Sequence, residues 1–274
     1  LHPRRLMRGV VAGVRDYGNR MGIPTANGAI HFHPGFVGNP LVFCGSVGLL
    51  RREHVNKTVQ PGDLIVAVGG RTGRDGIHGA TFSSRELTED SEEVSAGAVQ
   101  IGNPLEEKKV LDGLMRVRDE NLCRAVTDCG AGGFSSAVGE MGEHTGAEVY
   151  LDRAPLKYPG LGPTEVWISE AQERMVLAVD PVQLERVEQI FAEEEVECAV
   201  LGHFRDDGKL RLFHGEELVG ELDVGFLHGG RPDIVQVSVP PETRTATDPE
   251  LGSRDDLQIL EELLADGNVA SKEP

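Results

Sequence analysis

The residues best suited to chemistry lie in the stretch Val126-Thr127-Asp128-Cys129-Gly130-Ala131-Gly132-Gly133-Phe134-Ser135-Ser136. Residues 122–126 read as a short buried strand, and residues 134–144 as a helix opened by small residues and hydroxyls. A strand, a glycine turn and a helix N-terminus in that order bring backbone N–H groups to one point. The helix dipole adds partial positive charge there, so the turn favours an anion or a phosphate. Asp128, at the strand's end, is placed to hold a hard cation such as Mg²⁺, which in turn holds phosphate oxygens. The plainer reading is a tight turn whose aspartate caps the helix. Gln100, and Glu170 with Gln172, also fall at or just beyond element ends, where the sites of mixed sheets gather.

Histidines offer less. His78 lies in a glycine-rich loop, residues 69–80, which matches neither a phosphate-binding loop nor a dinucleotide fingerprint. It is either a ligand or acid–base group, or a loop histidine bonded to the backbone. His31 and His33 alternate along an expected strand, a spacing that suits metal chelation or a solvated edge. The run Glu193-Glu194-Glu195 reads as a solvated helix end. No Ser-His-Asp order supports a hydrolytic triad.

The 274 residues suffice for one large domain or two smaller ones with real cores. A hydrophobic content of 39% with 26% charged residues is that of an ordinary globular protein. The net charge of −18 argues against nucleic acid as a partner, because little would neutralise a phosphate backbone. The four cysteines form no C-x-x-C pair and no zinc-like spacing, so free thiols in a reducing cytoplasm are expected. No apolar run approaches the roughly 18 residues of a membrane span, so no membrane partner is expected. The start, Leu1-His2-Pro3-Arg4-Arg5, lacks an initiator Met and a signal-peptide core, and reads as a cut inside a longer chain.

The elements that must position these residues follow from periodicity. Leu6, Val10, Val14 and Tyr17 lie at helical spacing in residues 4–21, ending at Gly22 before Pro24. Residues 28–33 and 41–50 read as strands, the second nearly all apolar and so expected to be buried. A new unit opens with a turn at Pro61-Gly62-Asp63 and a buried strand over 64–68. Residues 88–97 read as an acidic loop, and 104–120 as a helix with proline suitably placed at its start. Strands are expected at 147–151, 175–179 and 197–204, an amphipathic helix at 181–194, and a hairpin at 209–213 and 217–223. Residues 232–253 read as a linker, followed by a helix over 255–266 whose leucines need another surface. The fold class is therefore α+β: a mixed sheet with helices packed on one face. The expected divisions are 1–60, the tail of an incomplete domain; 61–231, the main domain; and 232–274, a linker and final helix.

Four motifs carry a resemblance. They are Gly-Arg-Thr-Gly-Arg-Asp-Gly-Ile-His-Gly-Ala-Thr-Phe-Ser-Ser over 70–84, Ala-Val-Gln-Ile-Gly-Asn-Pro over 98–104, Thr-Asp-Cys-Gly-Ala-Gly-Gly over 127–133 and Ser-Glu-Ala-Gln-Glu-Arg-Met over 169–175. In order and spacing they resemble phosphoribosylformylglycinamidine synthase, the synthetase subunit of purine biosynthesis. Asp16-Tyr17-Gly18-Asn19, Gly22-Ile23-Pro24-Thr25 and Asn268-Val269-Ala270-Ser271-Lys272-Glu273 fit as well, so nearly the whole chain is covered. The resemblance implies the C-terminal fold of aminoimidazole ribonucleotide synthetase for the main domain, preceded by the tail of an ATP-binding-type domain and followed by a linker to a second half.

It implies a ligase joining formylglycinamide ribonucleotide with ammonia or glutamine at the expense of ATP, with a glutaminase subunit or domain as partner. Gln100, Glu170, Ala171 and Gln172 would contact substrate, and Asp128 would bind Mg²⁺. The family usually has Ser where Ala171 stands and often Asp where Asn103 stands. Its catalytic histidine, ATP-contacting lysine and other Mg²⁺ ligands have no counterpart in these motifs, so the chain alone is expected to be inactive. Two other readings compete: a non-catalytic interaction domain, or a related synthetase of the aminoimidazole ribonucleotide or selenophosphate type.

Overall fold

The structure is a computed structural model that describes residues 2–37, 40–77, 102–232, 234–239 and 255–271. Among the described residues seven strands form one sheet: β1 (Leu64–Gly69), β2 (Ala125–Asp128), β3 (Ala147–Tyr150), β4 (Arg174–Val179), β5 (Cys198–Phe204), β6 (Lys209–His214) and β7 (Glu217–Asp223). Their order is β2-β4-β1-β5-β3-β6-β7. Only β3 and β6 pair in parallel; the other neighbours are antiparallel, so the sheet is mixed as expected. The helices are α1 (Pro3–Met21), α2 (Pro104–Asp119), α3 (Phe134–Met141), α4 (Pro163–Ile168), α5 (Leu184–Glu193), α6 (Val224–Gly229) and α7 (Asp256–Ala265).

The sheet is covered on both faces, where helices on one face were expected. The central strands dictate this. Ile65, Val66 and Val68 of β1 and Val176 to Val179 of β4 are buried without alternation, which requires cover above and below. Ile65, Ala67, Val176 and Ala178 pack with Phe134, Val138 and Met141 of α3 and Val166 of α4. Val66, Val68, Leu177 and Val179 pack with Val110 and Val117 of α2 and Val187, Ile190 and Phe191 of α5.

Local signals explain the helix ends. The His2 ring accepts the Arg4 N–H, Pro3 occupies the first turn of α1, and Gly22 closes it at φ 73°. Asn103 caps α2 by accepting the Leu105 N–H at 3.2 Å, with Pro104 following. Four readings of the sequence are corrected. Residues 28–33 and 41–50 are not strands. In the second segment Leu41, Phe43, Val47 and Leu49 are exposed, because a strand needs a ladder partner and none among the described residues supplies one. Strand β2 begins at Ala125 rather than residue 122 and lies at the sheet edge, leaving Val126 41% exposed. The helix after the glycine turn stops at Met141.

Candidate functional site

The sheet register gathers the site. Gly69 at the end of β1 pairs with Arg174 at the start of β4, and Asp128 at the end of β2 pairs with Met175. Three loops therefore leave one end of the sheet side by side: residues 70–77, the glycine turn 129–133, and residues 169–173. Segments far apart in sequence become neighbours through this alignment alone.

The glycine turn is locked from within. The Gly133 N–H donates to the Gly130 carbonyl at 2.9 Å, and the Ser135 hydroxyl donates to the Gly132 carbonyl at 2.6 Å. The Ser136 hydroxyl donates to the Ala131 carbonyl. Gly133 has φ 57°, and a Cβ there would stand 1.8 Å from the Ser169 carbonyl oxygen. Only glycine permits that approach.

Glu170 sits on this turn, its carboxylate accepting the Gly132 N–H at 3.1 Å. The carboxylate that the turn holds is the chain's own, bonded by one backbone N–H that precedes the first residue of α3. Asp128 does not cap α3, whose N-cap is Gly133 with no side-chain cap bond. Asp128 is exposed and leans toward the turn, its Oδ2 lying 2.9 Å from where a Cβ on Gly130 would be.

Residues 169–172 are held by Arg174, which is only 4% exposed. Its guanidinium donates to the Ser169 carbonyl at 2.5 Å, the Ala171 carbonyl at 2.9 Å and the Thr72 hydroxyl at 2.8 Å, with its charge 4.4 Å from the centre of the Phe134 ring. Burial lowers its pKa from the ordinary arginine value. No carboxylate pairs with it among the described residues, so its charge is spent on backbone carbonyls. Loop 70–77 is tied to the same frame. Its Asp75 carbonyl accepts the Glu170 N–H at 2.8 Å, and its Thr72 exchanges backbone bonds of 2.8 Å with Pro155 and Lys157. Lys157 in turn pairs with Asp75 at 2.8 Å.

The electrostatics are acidic. Burial raises the Glu107 pKa, and the neighbouring carboxylates Glu173 and then Asp128 raise it further. Glu173 is also raised by burial, although hydrogen bonds from Tyr17 and Asn103 oppose this. The adjacent Cys129 thiol is pushed up to about 11 by burial, which removes it as a nucleophile near neutrality.

The candidate residues separate clearly. Asp128, Glu170 and Gln172 meet at one sheet end, with the Gln172 amide donating to the Glu170 carbonyl at 3.0 Å. Ala171 belongs to the same loop but is 1% exposed, and its N–H and carbonyl are taken by Ser169 and Arg174. Asn103 is the cap of α2. Gln100 and His78 lie outside the described residues, as do residues 88–97. His31 and His33 share no strand; the His33 ring accepts the Gly35 N–H at 3.0 Å. The glutamate run pairs with Arg116 and Lys109, through Glu193, Glu194 and Glu195.

No three His, Cys, Asp or Glu side chains gather as a metal-holding set among the described residues. Asp128 offers one exposed carboxylate, with Glu107 close enough to feel its charge. That donor set fits Mg²⁺, which takes one or two carboxylates and completes its shell with phosphate oxygens and water. Sequence reasoning missed Glu173 and Arg174 as site supports; both stand inside the motif at 169–175, and only their long-range partners reveal them.

A family model described as AIR synthase related protein, C-terminal domain, matches residues 60–215. The chain belongs to this family. The C-terminal-domain match spans every strand from β1 to β6 and thus the whole sheet end just described. The chain is 38% identical over 252 residues to phosphoribosylformylglycinamidine synthase subunit PurL of Methanopyrus kandleri, an alignment covering 89% of this chain and 35% of the relative. Among solved structures, Thermotoga maritima PurL complexed with FGAR superposes with a TM-score of 0.73 at 32% identity, covering 85% of this chain and 39% of that one. The same protein complexed with ATP gives a TM-score of 0.70 at 28% identity, covering 93% and 41%. The chain thus spans little more than a third of the length of the relatives it matches. No helix among the described residues is long and apolar enough to cross a membrane.

Proposed function

We propose that this chain supplies part of the substrate-binding surface of a phosphoribosylformylglycinamidine synthase. In that reaction formylglycinamide ribonucleotide, ATP and ammonia or glutamine give formylglycinamidine ribonucleotide, ADP and phosphate. Gln100, Glu170 and Gln172 contact formylglycinamide ribonucleotide, with Ala171 shaping the loop that carries the last two. Asp128 is a ligand of Mg²⁺, which when bound neutralises charge on phosphate oxygens. Within this reading residues 61–231 form the binding domain, while residues 1–60 and 232–274 join it to the rest of a cytoplasmic enzyme with a glutaminase partner.

The observation that carries the proposal is the Gly132 N–H bond to the Glu170 carboxylate at 3.1 Å. It seats the loop of Glu170 and Gln172 on the turn that follows Asp128, so the loops that carry amide, carboxylate and cation ligand lie side by side at one sheet end. Amide and carboxylate side chains together match the donors and acceptors of a glycinamide and a ribose. The PurL complex with FGAR, alike in fold over most of this chain, supports the choice of ligand.

Calorimetric titration of formylglycinamide ribonucleotide into the chain, with and without Mg²⁺, is the test. Saturable binding that weakens in Gln172→Ala and loses its Mg²⁺ dependence in Asp128→Asn supports the reading. A well-folded chain that takes up no ligand under either condition refutes it and favours the interaction-domain alternative.

A further inference from the structure

Glu173 stands between the two candidate contacts on its N-terminal side and the buried Arg174, and it has no place in the binding reading above. Three features set it apart. Its backbone has φ 59°, a left-handed conformation that costs a glutamate about 1 kcal/mol or more unless its surroundings hold it there. Its carbonyl accepts the Gly70 N–H at 2.9 Å, and a Cβ on Gly69 would lie 2.0 Å from that oxygen. Its side chain reaches the other way. One carboxylate oxygen, Oε1, accepts both the Tyr17 hydroxyl and the Asn103 N–H, each at 2.9 Å.

We infer that Glu173 is a positioning residue that fixes loop 169–172 relative to α1 and the start of α2, and so sets the site's spacing for its ligand. The left-handed turn at Glu173 sends its backbone to the end of β1 while its carboxylate ties down two helices. Every neighbour is shaped for the joint. Gly102 leaves room for it, because a Cβ there would meet both Glu173 Oε1 and the Tyr17 ring at 2.9 Å. Tyr17 contributes a donor from α1, an element that buries no residue of its own and so gains its seat on the domain through contacts of this kind. A half-buried carboxylate is costly unless it is hydrogen-bonded, and here its two bonds run to two separate helices rather than to the nearest cation. The charge itself is dispensable to this geometry; the acceptor oxygen is not. This separates a joint from an ion-pair role.

The inference rests on the binding reading for its purpose but not for its geometry, so two readouts are needed. The first is amide hydrogen exchange of Asn103 and Gly70 in the 274-residue chain. The second is formylglycinamide ribonucleotide affinity by calorimetry. Glu173→Gln keeps the acceptor, and should preserve Asn103 protection and bind within about threefold of wild type. Glu173→Ala should expose the Asn103 amide to exchange and weaken binding about tenfold or more, as expected for losing the acceptor of two hydrogen bonds. Tyr17→Phe removes one donor without touching the loop and should weaken binding by a smaller factor, which keeps the inference testable if Glu173→Ala unfolds. Unchanged exchange and affinity in Glu173→Ala, or a loss in Glu173→Gln equal to that in Glu173→Ala, overturns the inference. A wild-type chain that binds no ligand refutes the binding reading instead, and the joint is then decided by Asn103 exchange alone.

Discussion

Replacing Arg174 by Met tests whether a buried cation holds the binding loop. Methionine keeps much of the aliphatic volume and the contact with Phe134, but withdraws every donor. The Ser169 and Ala171 carbonyls and the Thr72 hydroxyl lose their partners at a site 4% exposed. Each stranded buried group costs about 1–3 kcal/mol. Removing a buried charge returns part of this, and the Thr72 hydroxyl can turn to another acceptor. A net loss of about 3 kcal/mol follows, within the range for breaking buried charged networks. For a domain of this size about 1 kcal/mol moves Tm by about 2–4 °C, so Tm should fall by about 6–12 °C. The assay is thermal unfolding by circular dichroism, alongside Arg174→Lys, whose single head reaches fewer acceptors and should recover part of the loss. A drop below about 3 °C in Arg174→Met would refute the reasoning, and would mean that glycine packing alone holds the loop.

The other predictions use the same frame. Gly133→Ala places a methyl against the Ser169 carbonyl in a left-handed backbone, so it should destabilise by about 3 kcal/mol or more in denaturant titration, whereas Gly160→Ala, at an open loop position of positive φ, should cost only about 1 kcal/mol. Asp128→Asn lies on an exposed site and should change stability by under about 0.5 kcal/mol while abolishing Mg²⁺-dependent binding. Glu107 has its pKa raised above the ordinary 4.5, so its ionised form is disfavoured in the fold. Its cost is full at pH 7 and is relieved as pH falls through the raised value toward 4.5. Glu107→Gln should therefore gain more Tm relative to wild type at pH 7 than at pH 5, and an equal difference at both would count against that burial. Asp207 runs the opposite way: Arg211 holds it down to about 2, so its stabilising contribution is present above the ordinary 3.8 and vanishes as pH falls toward 2.

Periodicity made β1, β4, α2 and the β6–β7 hairpin legible, because apolar runs and alternation record burial directly. The turn at 129–133 was legible from its glycines, and the clustering of Asp128, Glu170 and Gln172 from their positions at element ends. The segment 41–50 misled for a physical reason: an apolar run states that burial would be favourable, not that a covering surface is present. The short α4 went unread because six residues carry too few turns for periodicity, although Pro163 and the Glu165 bond to the Gly162 N–H mark its start. The work of Glu173 and Arg174 was invisible because it depends on partners at Tyr17, Thr72 and Asn103, distant in sequence and brought near only by the folded arrangement of α1, α2 and the sheet. Helices on both faces could have been inferred, since β1 and β4 lack the alternation that a solvent-facing sheet demands.

The strand order also has a consequence during synthesis on the ribosome. Strand β1 lies inside the sheet, yet both its neighbours, β4 and β5, come from much later in the chain. Gly69 waits for Arg174, about 105 residues on (174 less 69). At typical elongation rates that is about 5–20 s during which Leu-Ile-Val-Ala-Val stands with both edges open. A short, uncharged, β-branched segment in that state is a template for pairing with other chains. The nascent chain therefore has its greatest need of a chaperone between the emergence of β1 and that of β4, and slowing translation within that interval should lower soluble yield more than slowing it after β5.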